Sequence, residues 1–301
     1  MKVLITGGLG FVGTQLSIRF LASGHEVTVV DHAPRQKPYT PAGVRYVSAD
    51  TTVAGPWQVE IANQDVIINL AGASIFGRWS AAYKKLIYDS RILTTRNVVQ
   101  AMSSEQESTL LSTSAIGYYG FCKDEELTED SPPGNDFLAG LCVDWEREAQ
   151  EAQEKGARVV ITRFGIVLGK NGGALQQMIP AFKRFVGGPL GSGMQWFSWV
   201  HMHDLLEALL FLVDRSDISG PVNCCSPQPV RNKELAKALG SMLHRPSYLA
   251  TPSFMLRLAL GEFASALLEG QKVIPVKLLG AGFKFQYPAL PDALQSILAD
   301  D

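Results

Sequence analysis

The first thirteen residues constrain the fold more than any other stretch. Lys2-Val3-Leu4-Ile5-Thr6 is an apolar, β-branched run that leads into Gly7-Gly8-Leu9-Gly10-Phe11-Val12-Gly13, and a helical pattern follows over Phe11–Ser23. Gly7, Gly10 and Gly13 therefore form a G-x-x-G-x-x-G turn between a strand and a helix. In such a turn the first glycine permits the sharp bend and the second lets backbone approach a pyrophosphate. The third lets the helix pack close to the strand. The helix N-terminus then offers N–H groups and positive dipole to phosphates. Asp31 closes the next apolar run, Glu26-Val27-Thr28-Val29-Val30. A carboxylate at that position accepts hydrogen bonds from the adenosine ribose and repels a 2′-phosphate. The expectation is a dinucleotide site at Gly7, Gly10, Phe11, Val12, Gly13 and Asp31 that takes NAD or NADP, with NAD modestly preferred. Arg35, shortly after, would offset part of that repulsion.

Further along, short β-rich runs alternate with longer helical patterns, which predicts a parallel sheet with crossover helices. The expected strands are Lys2–Thr6, Glu26–Val30, Arg45–Val47, Val66–Leu70, Thr109–Ser114 and Arg158–Thr162. The expected helices between them are Phe11–Ser23, Ala81–Met102 and Phe137–Glu154. After about residue 170 the rhythm changes to glycine-punctuated loops and helices over Asp204–Asp214, Asn232–His244 and Pro252–Leu268. The fold class expected is α/β, a Rossmann doubly wound sheet over residues 1–170 completed by later segments. A smaller, mostly helical substrate-side region spans 171–301.

The chain has 301 residues, 46% hydrophobic, with 27 Lys and Arg against 29 Asp and Glu. That balance gives no electrostatic footprint for nucleic acid or an anionic membrane. Cys122, Cys142, Cys224 and Cys225 offer neither zinc-knuckle spacing nor a secreted disulfide framework, so half-buried reduced thiols in a cytoplasmic protein are expected. No apolar stretch is long enough to span a bilayer. His201-x-His203 with Asp204 lacks further ligands nearby, so no metal is expected; Asp204 reads as the cap of a helix starting at Leu205. Arg78, Lys84, Lys85 and Arg91 read mainly as a solvated helix face.

The chain resembles the extended short-chain dehydrogenase/reductase superfamily, and within it the NAD-dependent epimerase/dehydratase-like "epimerase family protein" group. The similarity rests on the glycine loop, Asn69-Leu70-Ala71-Gly72, Asp89-Ser90-Arg91 with Thr94-Thr95, and Ser114-Ala115-Ile116-Gly117-Tyr118-Tyr119-Gly120. Later segments that carry it are Gly187–Gly193, Trp199-Val200-His201 with Asp204, and Ala281-Gly282-Phe283. The resemblance implies that Leu70, Ala71 and Gly72 lie against the cofactor and that Gly165 approaches the nicotinamide. It also implies that Ser114 steadies a substrate oxygen. Some relatives are linked to cell or plastid division.

The chain departs from that family in two places. Superfamily enzymes carry Tyr-x-x-x-Lys on a helix, whose lysine lowers the tyrosine pKa from about 10. Here Leu138 and Cys142 occupy those positions. Tyr119 and Lys123 have the right spacing but straddle Gly120 after a strand end, and four-residue spacing converges only on a helix. Tyr118 or Tyr119 is therefore expected to reach the chemistry, with Ser114, without a partner lysine. Secondly, Phe197 stands where sugar-nucleotide enzymes often place a phosphate-gripping arginine. Trp196, Phe197 and Trp199 thus suggest a small-molecule substrate that is less anionic and more apolar. Two functional expectations result: an NAD(P)-dependent oxidoreductase or epimerase-like enzyme, or a nucleotide-binding sensor or scaffold. A monomer or homodimer is expected; superfamily relatives often pair through helices matching Ala81–Met102 and Phe137–Glu154.

Overall fold

The computed structural model describes residues 1–32 and 41–299. Arg35 lies outside the described residues. Seven parallel strands form one sheet in the order β3-β2-β1-β4-β5-β6-β7. They are β1 Lys2–Thr6, β2 Glu26–Asp31, β3 Arg45–Ser48, β4 Val66–Asn69, β5 Thr109–Ala115, β6 Arg158–Phe164 and β7 Gly220–Cys224. The six strands expected from apolar runs are all present, within two residues at their C-terminal ends. The seventh comes from beyond residue 170.

Helices cover both faces, which is why the central strands are apolar without alternation. On one face α1 (Phe11–Ala22) and α5 (Met202–Asp214) bury Leu16, Phe20, Leu205 and Leu209 against Val3, Ile5, Val29 and Ile68. On the other, α2 (Ala81–Ala101) and α3 (Phe137–Gln150) bury Val98 and Ala149 against Leu4, Ile67 and Leu110. Both latter helices start on side-chain caps: Ser80 Oγ accepts from the Tyr83 N–H, and the Asp136 carboxylate from those of Leu138 and Ala139. Each such cap is worth about 1 kcal/mol.

A third core joins α4 (Gly173–Lys183), α6 (Asn232–Met242) and α9 (Leu290–Leu298) around Trp199, Leu235 and Leu294. The helix expected over Pro252–Leu268 is two helices, α7 (Ser253–Leu260) and α8 (Phe263–Leu268). Gly261 separates them at φ +62° and ψ −136°, a backbone conformation open to glycine that breaks the helical path. Among the described residues no helix is long and apolar enough to cross a membrane.

Candidate active site

β1 pairs with β2 on one side and with β4 on the other, so the loops leaving β1 and β4 diverge. That reversal opens a crevice at the carboxyl ends of the strands. Its two walls nearly touch at the base. Gly7 has φ +66°, and a Cβ on it would stand 2.9 Å from the Ala71 Cα. Gly13 is equally confined, since a Cβ there would lie 2.5 Å from the Gly7 carbonyl oxygen and 2.6 Å from the Gly8 Cα. Gly10 is different: the nearest atom to an added Cβ is the Gly7 oxygen at 3.1 Å. Gly10 is also the N-cap of α1, and no side chain covers the first-turn N–H groups there. Those donors are left for a ligand.

Asp31 ends β2 beside this loop. Its Oδ2 accepts the Leu9 N–H at 3.0 Å, and His32 Nδ1 lies 3.3 Å from Oδ1. The carboxylate thus also fixes the glycine loop, a role invisible in the sequence. On the opposite wall Thr6 Oγ1 donates to Asn69 Oδ1 at 2.7 Å, and Asn69 Nδ2 donates to Thr95 Oγ1 of α2 at 2.8 Å. The Leu70 N–H donates to the Thr6 carbonyl, which sets the course of Leu70–Gly72. Phe11, at the start of α1, packs against the loop after residue 169, where a Cβ on Gly172 would meet its ring at 2.2 Å. Gly165 stands apart from the β1–β4 walls. A Cβ there would meet Cys225 at 2.9 Å and the Ser198 carbonyl at 3.2 Å, so its small size serves packing beside β7.

At the end of β5 the polar groups form a closed, buried network. Ser114 Oγ donates to Glu146 Oε1 at 2.6 Å. Arg163 of β6 donates to both Glu146 oxygens, Nε and Nη2 each at 2.8 Å. Its Nη1 donates to the Tyr119 phenol oxygen at 2.9 Å, and that phenol donates to Asn223 Oδ1 at 2.7 Å. Burial pushes the Tyr119 phenol up to about 12, against the pull of Arg163. Burial would by itself lower the Arg163 pKa, but the Glu146 carboxylate overrides it and holds the guanidinium above its ordinary value. The Arg163 guanidinium also lies over the Tyr118 ring, 3.5 Å from its centre.

The positions of the family's proton-transfer pair point toward this same strand end. A Cβ on Gly117 would touch the Leu138 Cβ at 3.4 Å, so Leu138 packs there as an apolar plug. Cys142 Sγ lies 3.8 Å from the Ala115 carbonyl, and burial, helped by Glu146, pushes its thiol up to about 11. Tyr119 and Lys123 do not pair on a helix: Tyr119 is buried at the end of the short 3-10 turn Ile116–Tyr119, whereas Lys123 is exposed.

Other expected positions have structural work. Trp199 is 0% exposed and belongs to the third core, its indole N–H donating to the Gln228 carbonyl. Trp196 is part-buried between Arg231 and Lys272, 3.8 and 5.1 Å from its ring centre, and Phe197 packs partly against the third core. α5 begins at Met202, and its cap is His201, whose Nδ1 accepts the His203 N–H at 3.1 Å. Asp204 is not the cap; it accepts the N–H groups of Gln286 and Tyr287 and pins the C-terminal segment. Three of the four thiols are buried outright, Cys122 being the intermediate one. Arg91, expected on a solvated face, is partly buried against Gly72.

Further aromatic rings lie nearer the start of α3. Trp79 packs edge-on against Phe137 at 5.3 Å, and Phe263 of α8 lies 5.4 Å from Trp79 and 6.0 Å from Phe76. These contacts bring the C-terminal helices over the loop that follows β4.

A family model for NAD dependent epimerase/dehydratase proteins matches residues 3–225. The chain belongs to that family. Its fold is the extended short-chain dehydrogenase/reductase fold. A second match, over residues 251–297, is to a domain of unknown function, DUF1731. Among relatives in the family, the epimerase family protein SDR39U1 homolog, chloroplastic, of Arabidopsis thaliana is 40% identical over 99% of this chain and 87% of its own length. Epimerase family protein YfhF of Bacillus subtilis is 39% identical over 100% and 99%. The crystal structure of human epimerase family protein SDR39U1 with NADPH has a TM-score of 0.88 and 33% identity, covering 100% of both chains.

Proposed function

We propose that the chain is a nicotinamide-dinucleotide-dependent oxidoreductase or epimerase-like enzyme whose substrate is not a standard sugar nucleotide. The observation that carries the reading is the crevice between the Gly7 and Ala71 walls, with the N-terminus of α1 uncapped at Gly10. Those residues fit a dinucleotide: the α1 donors for its pyrophosphate, Asp31 for the adenosine ribose, and Leu70–Gly72 along the other wall. When bound, the dinucleotide supplies hydride transfer. The human relative was solved with NADPH; for this chain we propose NAD as the tighter ligand, because a 2′-phosphate would lie beside the Asp31 carboxylate.

Proton transfer is where this chain parts from its family's usual chemistry. Bringing a tyrosine from about 10 to neutrality needs roughly 4 kcal/mol from neighbouring charge. Leu138 carries no charge, Cys142 stays a thiol at neutral pH, and Tyr119 is held at about 12. We therefore assign the chemistry to Tyr118, which is only half-buried where Tyr119 is enclosed, with Ser114 positioned by Glu146. The Phe76, Trp79 and Phe137 rings, packed with Phe263 over the loop after β4, would favour an apolar or aromatic substrate beside them. The test is turnover: the NAD-loaded protein should leave UDP-glucose and dTDP-glucose unchanged at ordinary enzymatic rates, and rapid epimerisation would overturn the reading.

A second reading, a nucleotide-binding sensor or scaffold, is favoured by the way Ser114 and Tyr119 are consumed by the buried network. It predicts nucleotide binding with no redox substrate in a broad screen. We further propose a cytoplasmic monomer or homodimer, and light scattering that showed a large assembly would refute the second part.

A further inference from the structure

Two arginines lie partly or fully buried near the carboxyl edge of the sheet, and their charges are treated differently. Arg163 is matched by both oxygens of Glu146. Arg91, on α2, forms no ion pair with any Asp or Glu among the described residues. Its Nη1 donates to two backbone carbonyls, Ala73 at 3.1 Å and Ile87 at 3.0 Å, while Nε and Nη2 have no partner among those residues. The guanidinium lies against exposed Gly72: a Cβ there would stand 3.1 Å from its Cζ and 3.3 Å from Nη2. Its other side faces the Trp145 ring, 5.3 Å away. Neighbouring Ser90 holds the same segment by accepting the Ala73 N–H at 3.0 Å, so α2 grips the post-β4 loop and presents a cation at its lip.

A half-buried cation without a counter-ion carries a desolvation cost, and burial indeed pulls the Arg91 pKa below its ordinary value. An anion arriving in the crevice would offset that cost. We infer that Arg91 is a cofactor-binding residue, its Nε and Nη2 donors taking the second phosphate of the dinucleotide, the one on the nicotinamide side. The inference rests on the dinucleotide reading proposed above. The α1 N-terminus lies on the β1 wall and Arg91 on the β4 wall, so the pyrophosphate would be held from both sides. Position 142 of α3, where the superfamily's Tyr-x-x-x-Lys pattern would put its lysine, is a neutral thiol, and Arg91 brings positive charge to the same neighbourhood from a different helix.

The experiment is calorimetric titration of wild type, Arg91→Gln and Arg91→Lys with NAD, ADP and AMP. Glutamine keeps a donor for the Ala73 carbonyl but removes the charge. Arg91→Gln should bind NAD and ADP roughly 10- to 100-fold more weakly and AMP, which lacks the second phosphate, as wild type does. Arg91→Lys should recover part of the loss, since it keeps the charge without the planar fork. NAD and ADP affinities in Arg91→Gln within about twofold of wild type would overturn the inference and leave Arg91 a clamp for Ala73. If Arg91→Gln fails to fold, Arg91→Lys decides: weakened ADP with unchanged AMP supports the inference, and unchanged ADP refutes it. A wild type that binds none of the three would instead refute the dinucleotide reading itself.

Discussion

The loop after β1 and the strand end after β5 sit on the same edge of one sheet, yet they treat their polar groups in opposite ways. At Gly10 the first-turn N–H groups of α1 have no side-chain cap, and the walls at Gly7 and Ala71 approach as closely as backbone allows. At Ser114 the hydroxyl, the Glu146 carboxylate, the Arg163 guanidinium and the Tyr119 phenol satisfy one another in the interior. One region keeps donors for a ligand, and the other uses similar groups to join β5, β6, β7 and α3. Damage to the first should therefore remove binding and spare the fold. Damage to the second should do the reverse.

The largest expected effect is on the network. Glu146→Ala leaves the Arg163 charge buried and uncompensated, and should lower unfolding stability by about 3–5 kcal/mol, measured by denaturant titration. Dinucleotide affinity of the protein that remains folded should be unchanged. A substantial loss of affinity at intact stability would erase the contrast between the regions.

Gly10→Val is the reciprocal change. Its Cβ would press on the Gly7 carbonyl oxygen at 3.1 Å, which the loop relieves by moving a few tenths of an ångström. The branched side chain also projects into the space of the pyrophosphate, so binding should weaken at least roughly 100-fold, equivalent to about 2.7 kcal/mol. The melting temperature without ligand should stay within a few degrees. Unchanged binding would show that the ligand, if any, lies elsewhere.

Tyr119→Phe sharpens the comparison within the second region. Asn223 Oδ1 and Arg163 Nη1 each lose a partner, which should cost about 1–3 kcal/mol of stability. Because the phenol is held at about 12, no pH step between 6 and 9 should depend on it. A rate profile whose inflection in that range vanishes in Tyr119→Phe would make Tyr119 the working base.

The smallest effect lies at the start of α5. Burial, with nearby His203, lowers the His201 imidazole to about 4, while the unfolded chain titrates near 6.5. The folded state thus favours the neutral ring. Its stability contribution is complete above pH 6.5 and is lost as pH falls from there toward 4, by about 1–2 kcal/mol after screening. His201→Asn, which preserves a capping acceptor, should flatten that slope in thermal melts. An unchanged slope would assign it to other groups.

The sheet was legible because its central strands are β-branched runs buried on both faces, and the glycine loop because its spacing answers to backbone geometry alone. β7 was not legible: Gly220-Pro221-Val222-Asn223-Cys224 has neither an apolar run nor alternation, and it becomes a strand only by pairing with β6. Glu146 and Arg163 look like surface charges until α3 folds over β5 and β6 and desolvates both. Arg91 was hidden for a similar reason. It sits among exposed basic residues on α2, and what buries it, Trp145 and the Gly72 segment, is brought there by tertiary packing. The full burial of Trp199 was not legible either, since an aromatic residue in a short apolar run reads alike as core or as ligand wall.

The central claim, that the β1–β4 crevice holds a nicotinamide dinucleotide, is tested most directly by titrating the wild-type protein with NAD and, separately, NADP while following bound ligand by calorimetry. The account predicts saturable one-site binding of both, tighter for NAD. Tighter binding of NADP would contradict the role given to Asp31, and no measurable binding of either would contradict the claim itself.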